Sequence, residues 1–558
     1  MITPLPRTKN RRASSIVYLM TFIMGGCGIA YEYTFSKISS DLLGNSVHQW
    51  AITIGLMMLF MGIGSDLQKH IEDKGIFDKF IFFEVLLGII GAFGPVLMLY
   101  TFGNFRDHYV LVQYGSTVAV GFLIGLEIPI LSRINEEFAP ELKVNLGGIL
   151  RMDYVGAFAG ALAWVFILPR FFSLTQMSFV LGVLNLSCAL LALAYFYRMA
   201  VRKIALTVLT LASTLALCYG LIKAPVWTAH AEQQLFQDPI IYAATTRYQH
   251  VVLTQAASGD VYCYINGNTQ FSSFDEHIYH EMLVHPAMLV ATRRDRVLIL
   301  GGGDGLALRE VLKYPDVHEI TLVDLDPGMT NLARENEALL KLNQGSLLNA
   351  RVSVVDNGAL IDSPDTQTIT TPRRTGWFAH DSEKVAEVSL VNIDASLFVD
   401  QISGSYDVII VDFPDPNNLE LSKLYSRGFY GRLRDKLNRN GIMVQQSTSP
   451  VGSREAFLCI GRTLADAGFH TLPYHDNVPT FGEWGFWLAA RDDFQQSDPL
   501  ERKLVTIEDI PVPVRYITPD VMRASFVFGK DTLTSSETSV NSIINNVIFQ
   551  YYADALTY

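Results

Sequence analysis

Three carboxylates stand where the sequence pattern ends a β-strand: Asp304 in the glycine loop GGGDG (301–305), Asp324 after ITLV, and Asp412 after VIIV. A fourth, Asp415, follows in DFPDP (412–416), so that two acids of one loop can enter a single pocket. A carboxylate about twenty residues beyond a glycine loop commonly accepts hydrogen bonds from ribose hydroxyls. By themselves these residues denote a nucleoside cofactor, either a dinucleotide or an S-adenosyl compound. The acid inside the glycine loop is the unusual feature, because many such loops keep only glycine and small residues.

These acids need strands to hold them. The segments VLIL (297–300), EITLVDL (319–325), VSLVNI (388–393), YDVIIVD (406–412) and GIMVQQS (441–447) read as strands, with helices between most of them. Such alternation predicts a doubly wound, Rossmann-like α/β sheet of the methyltransferase type, with ligands bound at the carboxyl ends of its strands. Ahead of it, QHVVLTQAASGDVYCYING (249–267) reads as two strands around a Ser-Gly-Asp turn, a small β module.

The front of the chain has another character. The 558 residues are 49% hydrophobic and only 18% charged, against roughly 25% charged in soluble proteins. The imbalance lies in seven apolar stretches, 16–36, 47–65, 80–103, 109–131, 152–172, 176–197 and 203–222. Each is long enough to cross a bilayer at about 20 residues per helix. No A-x-A-like cleavage site follows the first, which reads as a span rather than a signal peptide. Small residues such as VGAFAGALA (155–163) predict close helix packing in an all-α transmembrane bundle. Glu32, Glu84, Glu127 and Asp153 lie inside or at the ends of these segments. Acids at such depth are functional candidates, the alternative being helix caps or a polar bundle interior. Thirteen Lys and Arg residues flank one side of the spans and three the other (Lys37, Arg106, Arg170). The positive-inside rule then puts the N-terminus in the cytoplasm, at the inner membrane, and seven spans put the remainder outside; the alternative is a count too high by one, with 152–172 re-entrant.

The formal net charge of −12 excludes nucleic acid as a natural partner and suits a cationic substrate. The five cysteines form no C-x-x-C, so neither a zinc site nor a disulfide framework is expected, and no metal is. The expected organisation is a transmembrane domain over 1–223, a linker over 224–239, a β module over 240–295, a catalytic α/β domain over 296–495, and a tail over 496–558.

GGGDG (301–305), YHEMLVHP (279–286) and DFPDP (412–416), with VPTFGEWGF (478–486) downstream, resemble the motifs of the polyamine aminopropyltransferases, the spermidine synthases. The resemblance runs over about residues 240–490, and the apolar front with the tail RYITPDVMRASFVF (515–528) looks like the family's membrane-anchored bacterial branch. It implies transfer of an aminopropyl group from decarboxylated S-adenosylmethionine, a co-substrate rather than a resident cofactor, to a diamine. With putrescine the products are spermidine and methylthioadenosine. It also implies a homo-oligomer, a dimer in the simplest case.

The implied chemistry accounts for the acids. The attacking amine must be neutral, yet an alkyl amine titrates near 10.4, so a positioned carboxylate has to accept its proton. By resemblance Asp412 is that base, and Asp415, His280 and Tyr279 bind the amine. Asp304 pairs with the aminopropyl or polyamine nitrogen, which favours a cofactor lacking a carboxylate. Gln249, Gln270, Gly301, Gly303, Asp324, Asp394 and Ala395 would hold the nucleoside. Asp394 and Ala395 take the adenine, with Asp356 as the rival because 356–386 looks like an insertion. Asp324 stands where the family usually has Glu. Phe413, Pro414 and Phe481 lack hydroxyls found in relatives, so the acceptor amine can differ from putrescine. Two other readings compete: a methyltransferase on the same fold, and a transporter or sensor with a non-catalytic polyamine-binding domain.

Overall fold

The computed structural model describes residues 11–43, 46–139, 141–348, 352–356, 386–491 and 500–555. The chain separates into two compact units, Met1–Gln237 and Asp238–Tyr558.

Seven long apolar helices build the first unit: α1 Arg11–Leu43, α2 Ser46–Leu67, α3 Ile76–Asn104, α4 Tyr109–Asn135, α5 Leu142–Phe166, α6 Leu174–Phe196 and α7 Lys203–Gln233. All seven have the length and composition of membrane spans. Small residues set the contact between α1 and α5. A Cβ on Gly156 would lie 2.0 Å from the Phe22 carbonyl oxygen, and one on Gly160 would lie 2.3 Å from that of Gly26. The VGAFAGALA run therefore works as expected, letting two backbones touch. Two boundaries differ most from the sequence expectation. Helix α5 begins at Leu142, ten residues early, and so takes in Lys143 and Arg151. Helix α7 continues through Pro225 to Gln233, so most of the segment expected as a linker is helical. Pro225 is accommodated inside the helix, where its missing amide removes one hydrogen bond without ending the element.

The second unit opens with a four-stranded antiparallel sheet in the order β1-β2-β3-β4, namely Ile240–Thr245, His250–Gln255, Val261–Ile265 and Asn268–Ser272. Two of these strands were expected; β1 and the short polar β4 complete the module. Helix α8, Glu276–Val290, follows and is buried along most of its length.

The main sheet has eight strands: β5 Arg296–Gly301, β6 Glu319–Asp324, β7 Val352–Asp356, β8 Glu387–Asn392, β9 Tyr406–Asp412, β10 Leu437–Gln446, β11 Phe469–Val478 and β12 Gly482–Arg491. Their order is β11-β12-β10-β9-β5-β6-β8-β7. Strands β7 to β10 with β5 and β6 run parallel, and the β11–β12 hairpin adds antiparallel at one edge. The doubly wound sheet is thus a mixed one. The chain leaves β5 on one side towards β6 and returns on the other as β9, and the acids gather at that switch point. β8, not β7, pairs with β6. Asp356 ends β7, one strand further out; of the insertion expected over 356–386, residues 357–385 lie outside the described residues.

Candidate active site

The floor of the site is set by register. Gly301 at the end of β5 pairs with Asp412 at the end of β9, which brings two residues 111 apart in sequence side by side. Gly301 has φ +84°, and a Cβ there would lie 2.1 Å from the Asp412 carbonyl oxygen, so only glycine fits. Gly303 is equally constrained: a Cβ would lie 2.6 Å from the Asp324 carboxyl carbon. Its amide instead donates to Asp324 Oδ2 at 3.0 Å, and the Asp326 amide donates to Oδ1 at 2.8 Å. Asp324 is therefore clamped to the glycine loop before any ligand arrives. Asp304 Oδ1 accepts from the Leu306 amide at 2.8 Å, closing a tight turn ahead of the helix, whose N-cap is Gly305, and Asn343 holds the Asp304 carbonyl. That turn uses one oxygen of Asp304 and leaves the other.

Burial raises the proton affinity of all four acids. It pushes Asp324 up to about 7, and Asp412 and Asp415 each up to about 6. Asp304 is raised in the same direction by the same cause. Carboxylates held this way near neutrality can exchange protons at working pH. Tyr279, buried on α8, donates to Asp412 Oδ1 at 2.6 Å, which favours the ionised form. Phe481 and Trp484 pack around the Tyr279 ring at centroid distances of 6.3 and 6.5 Å.

Behind Asp304 and Asp412 runs a buried ionic network. His280 Nδ1 meets Glu276 Oε2 at 2.9 Å and the Glu276 carbonyl at 2.7 Å. Arg309 grips the same carboxylate with two nitrogens, at 2.8 and 3.0 Å, and reaches Glu310 at 2.8 Å. Glu310 in turn meets His285 at 2.9 Å. Burial opposes a charge on His280, but the Glu276 hydrogen bond and charge, with the fields of Asp304 and Asp412, raise the imidazole to about 9. Burial likewise opposes ionisation of Glu276, yet His280 and Arg309 hold it down at about 2. At pH 7 a cationic imidazole thus stands behind the two acids.

Asp415 is held from a different quarter. Gln446 Nε2, at the end of β10, donates to Oδ1 at 3.3 Å, and the Tyr552 hydroxyl donates to Oδ2 at 2.9 Å. The Thr448 side chain adds a further hydrogen bond, on a residue with φ +58°, a conformation rare for a β-branched residue and common at functional sites. Gln446, Thr448, Tyr552, Glu276 and Arg309 were not singled out from sequence. Only Gln446 had a visible signal, its position at the end of the strand next to β9.

The remaining expected residues are spread more widely. Gln249 lies in the turn before β2, where Thr246 bonds its backbone and also reaches Asp326 Oδ2 at 2.8 Å. That ties the turn to the Asp324 end of the sheet. Gln270, on β4, places its amide nitrogen on the Asn268 carbonyl of its own strand. Asp394 follows β8 and caps the helix Ala395–Gln401, and its second oxygen meets Lys423 at 2.7 Å. Burial works against ionisation there, but Lys423 lowers the carboxyl below its usual range. Ala395 is buried beside it. Among the described residues no cluster of His, Cys, Asp and Glu has the makings of a metal site.

A glycine loop, a clamped carboxylate at the end of β6 and two further acids at the end of β9 define a nucleoside-dependent transferase site on a Rossmann-like sheet. The Spermine/spermidine synthase domain model matches residues 276–360 and 377–497, which contain these elements. The polyamine aminopropyltransferase of Oceanobacillus iheyensis is 36% identical over 98% of both chains. That of Leptospira interrogans is 34% identical over 96% of this chain and 97% of the other. The crystal structure of spermidine synthase from Thermotoga maritima aligns with 53% of this chain and 87% of that one, at 24% identity and a TM-score of 0.39. The chain belongs to the polyamine aminopropyltransferase family, and it is an aminopropyltransferase enzyme.

Proposed function

We propose that the enzyme moves the aminopropyl group of decarboxylated S-adenosylmethionine to a diamine, putrescine by first choice, releasing methylthioadenosine. The observation that supports this best is the gathering of Asp304, Asp412 and Asp415 at the adjacent carboxyl ends of β5 and β9, with Asp304 and Asp412 in electrostatic reach of each other. Anionic carboxylates there suit a substrate pair that is cationic throughout, because a dry site holds ammonium groups only if they are paired. Asp412 accepts the proton of the attacking nitrogen as the N–C bond forms and the C–S bond of the sulfonium breaks. The bond electrons leave on sulfur, so methylthioadenosine departs neutral at that atom. Asp415 binds the acceptor's other ammonium, and Tyr279 orients Asp412.

His280 serves the acids rather than the amine. As a cation it has no acceptor to offer an ammonium, but its charge helps keep Asp304 and Asp412 ionised. Asp324 takes the ribose hydroxyls, with Gly301, Gly303, Gln249 and Gln270 around the nucleoside. Asp394 and Ala395 take the adenine, and a base amino group there would share an oxygen with Lys423. A methyltransferase would bring a substrate carboxylate up against Asp304, which the like charges oppose. Incubating the purified protein with decarboxylated S-adenosylmethionine and a panel of diamines tests the assignment. A mass gain of one aminopropyl group on a diamine is expected, and methyl transfer from S-adenosylmethionine instead would refute it.

We propose further that the helical unit is a multi-pass domain of the cell membrane with its N-terminus in the cytoplasm. The seven apolar helices and the basic-residue asymmetry support this, although Lys143 and Arg151 belong to the first turns of α5 rather than to a loop. Seven spans then put the catalytic unit outside, while its nucleoside substrate, a cation, does not cross bilayers unaided. Glu84 and Glu127 are 1% and 7% exposed, and three of their four carboxylate oxygens have no hydrogen-bond partner among the described residues. Together with Glu32 they are candidates for a cation path. Reporter fusions after Lys223 are expected to give active alkaline phosphatase and dark green fluorescent protein. The reverse pattern would leave the helices as an anchor.

A further inference from the structure

The last helix of the chain, Val547–Ala555, is fastened to the catalytic unit rather than trailing from it. Ile548 is fully buried in the core that contains Leu424, Tyr425 and Phe457. Asn541, also fully buried, donates to the carbonyls of Ser422 and Tyr425 at 2.9 and 3.1 Å and accepts from the Ile548 amide. Tyr551 bonds Glu537 at 2.8 Å. This fastening delivers one polar group to the site, the Tyr552 hydroxyl on Asp415 Oδ2, from 137 residues away in sequence.

The delivery fills a gap. The residues between the two acids of the loop, Phe413 and Pro414, carry no hydroxyl, and neither does Phe481 beside Tyr279. Tyr425, another hydroxyl near the loop, is committed to the Pro414 carbonyl at 2.8 Å and to Gln446 at 3.0 Å. A carboxylate accepts about four hydrogen bonds. With Gln446 on one oxygen, Tyr552 on the other and Thr448 as a further donor, Asp415 is held at both oxygens and keeps a lone pair for a fourth partner.

We propose that Tyr552 is a positioning residue of the acceptor-amine site. Its hydroxyl aims Asp415 and holds it ionised for the distal ammonium of the acceptor, so the C-terminal helix takes part in acceptor selection. This rests on the aminopropyl-transfer assignment above. Removing a hydrogen bond to a charged group costs its partner roughly ten- to hundred-fold in binding, and it also raises the carboxyl's proton affinity, because the bond favours the ionised form.

The test uses the full chain in detergent carrying Tyr552→Phe, which keeps the ring and its packing. The KM for the diamine is expected to rise about tenfold or more, with kcat and methylthioadenosine affinity little changed. The acid limb of kcat/KM for the diamine should move to higher pH. An unchanged KM with an unmoved acid limb overturns the role, whatever happens to the melting temperature, and so does a loss confined to kcat. A wild-type protein that transfers nothing to any diamine would instead sink the underlying assignment, a result separable from either.

Discussion

Asp412→Asn is expected to lower kcat by about 10²–10⁴-fold, the usual effect of losing a positioned general base, with methylthioadenosine binding largely intact. The amide keeps the shape and still meets Tyr279, but it cannot take the proton that the attacking nitrogen must shed. Wild-type Asp412 is held up at about 6 by burial, moderated by His280 and Tyr279. The acid limb of kcat/KM near pH 6 should therefore lose its Asp412 component in the variant and keep the one that Asp415, also at about 6, contributes. Stopped-time assays from pH 5 to 9 would read both effects. Near-normal turnover in the variant would remove Asp412 from the proton transfer.

Glu276→Gln is expected to destabilise the catalytic unit by about 3–5 kcal/mol, because it strips one partner from a buried ionic cluster and leaves His280 and Arg309 short of a counter-charge. Both partners are almost wholly buried, with His280 at 2% and Arg309 at 7% exposure. The pH dependence has a definite sign. The folded His280 titrates at about 9, above its ordinary value, so its contribution is fully present below about pH 6.5 and fades as pH rises through 9. Glu276, held down at about 2, contributes from above its ordinary value and is lost only as pH falls through 2. Denaturant unfolding of wild type should thus weaken between pH 7 and 10, and the variant should lack that slope. A variant as stable as wild type at pH 7 would contradict the counter-charge role.

What the sequence disclosed was local. GGGDG between an apolar run and a helix, and DFPDP after VIIV, announced two strand ends and their acids without any knowledge of the sheet. The juxtaposition of Gly301 with Asp412 depends on β5 and β9 lying side by side, and a strand order of this kind has no local signature. Strand β11 escaped for another reason: FHTLPYHDNV is polar and contains Pro473, acceptable because the strand lies at the sheet edge. The early start of α5 was hidden by the polar KVN at 143–145, of which Asn145 is buried and bonded to Asn135 and Ser132. The charge on His280 could not be read from YHEM, since besides Glu276 it depends on the fields of Asp304 and Asp412, which only the folded sheet brings near. Tyr552 lay beyond the tail motif at 515–528, in a stretch that showed none.

The most direct test of the site's central claim, that Asp304 reads the cationic aminopropyl arm, is a pair of calorimetric titrations on Asp304→Ala. Decarboxylated S-adenosylmethionine carries that ammonium and methylthioadenosine does not, while the nucleoside contacts are common to both. The expected result is a loss of roughly ten- to hundred-fold in affinity for the former and little change for the latter. Equal losses for both ligands would show that Asp304 shapes the glycine loop alone, and would contradict the assignment.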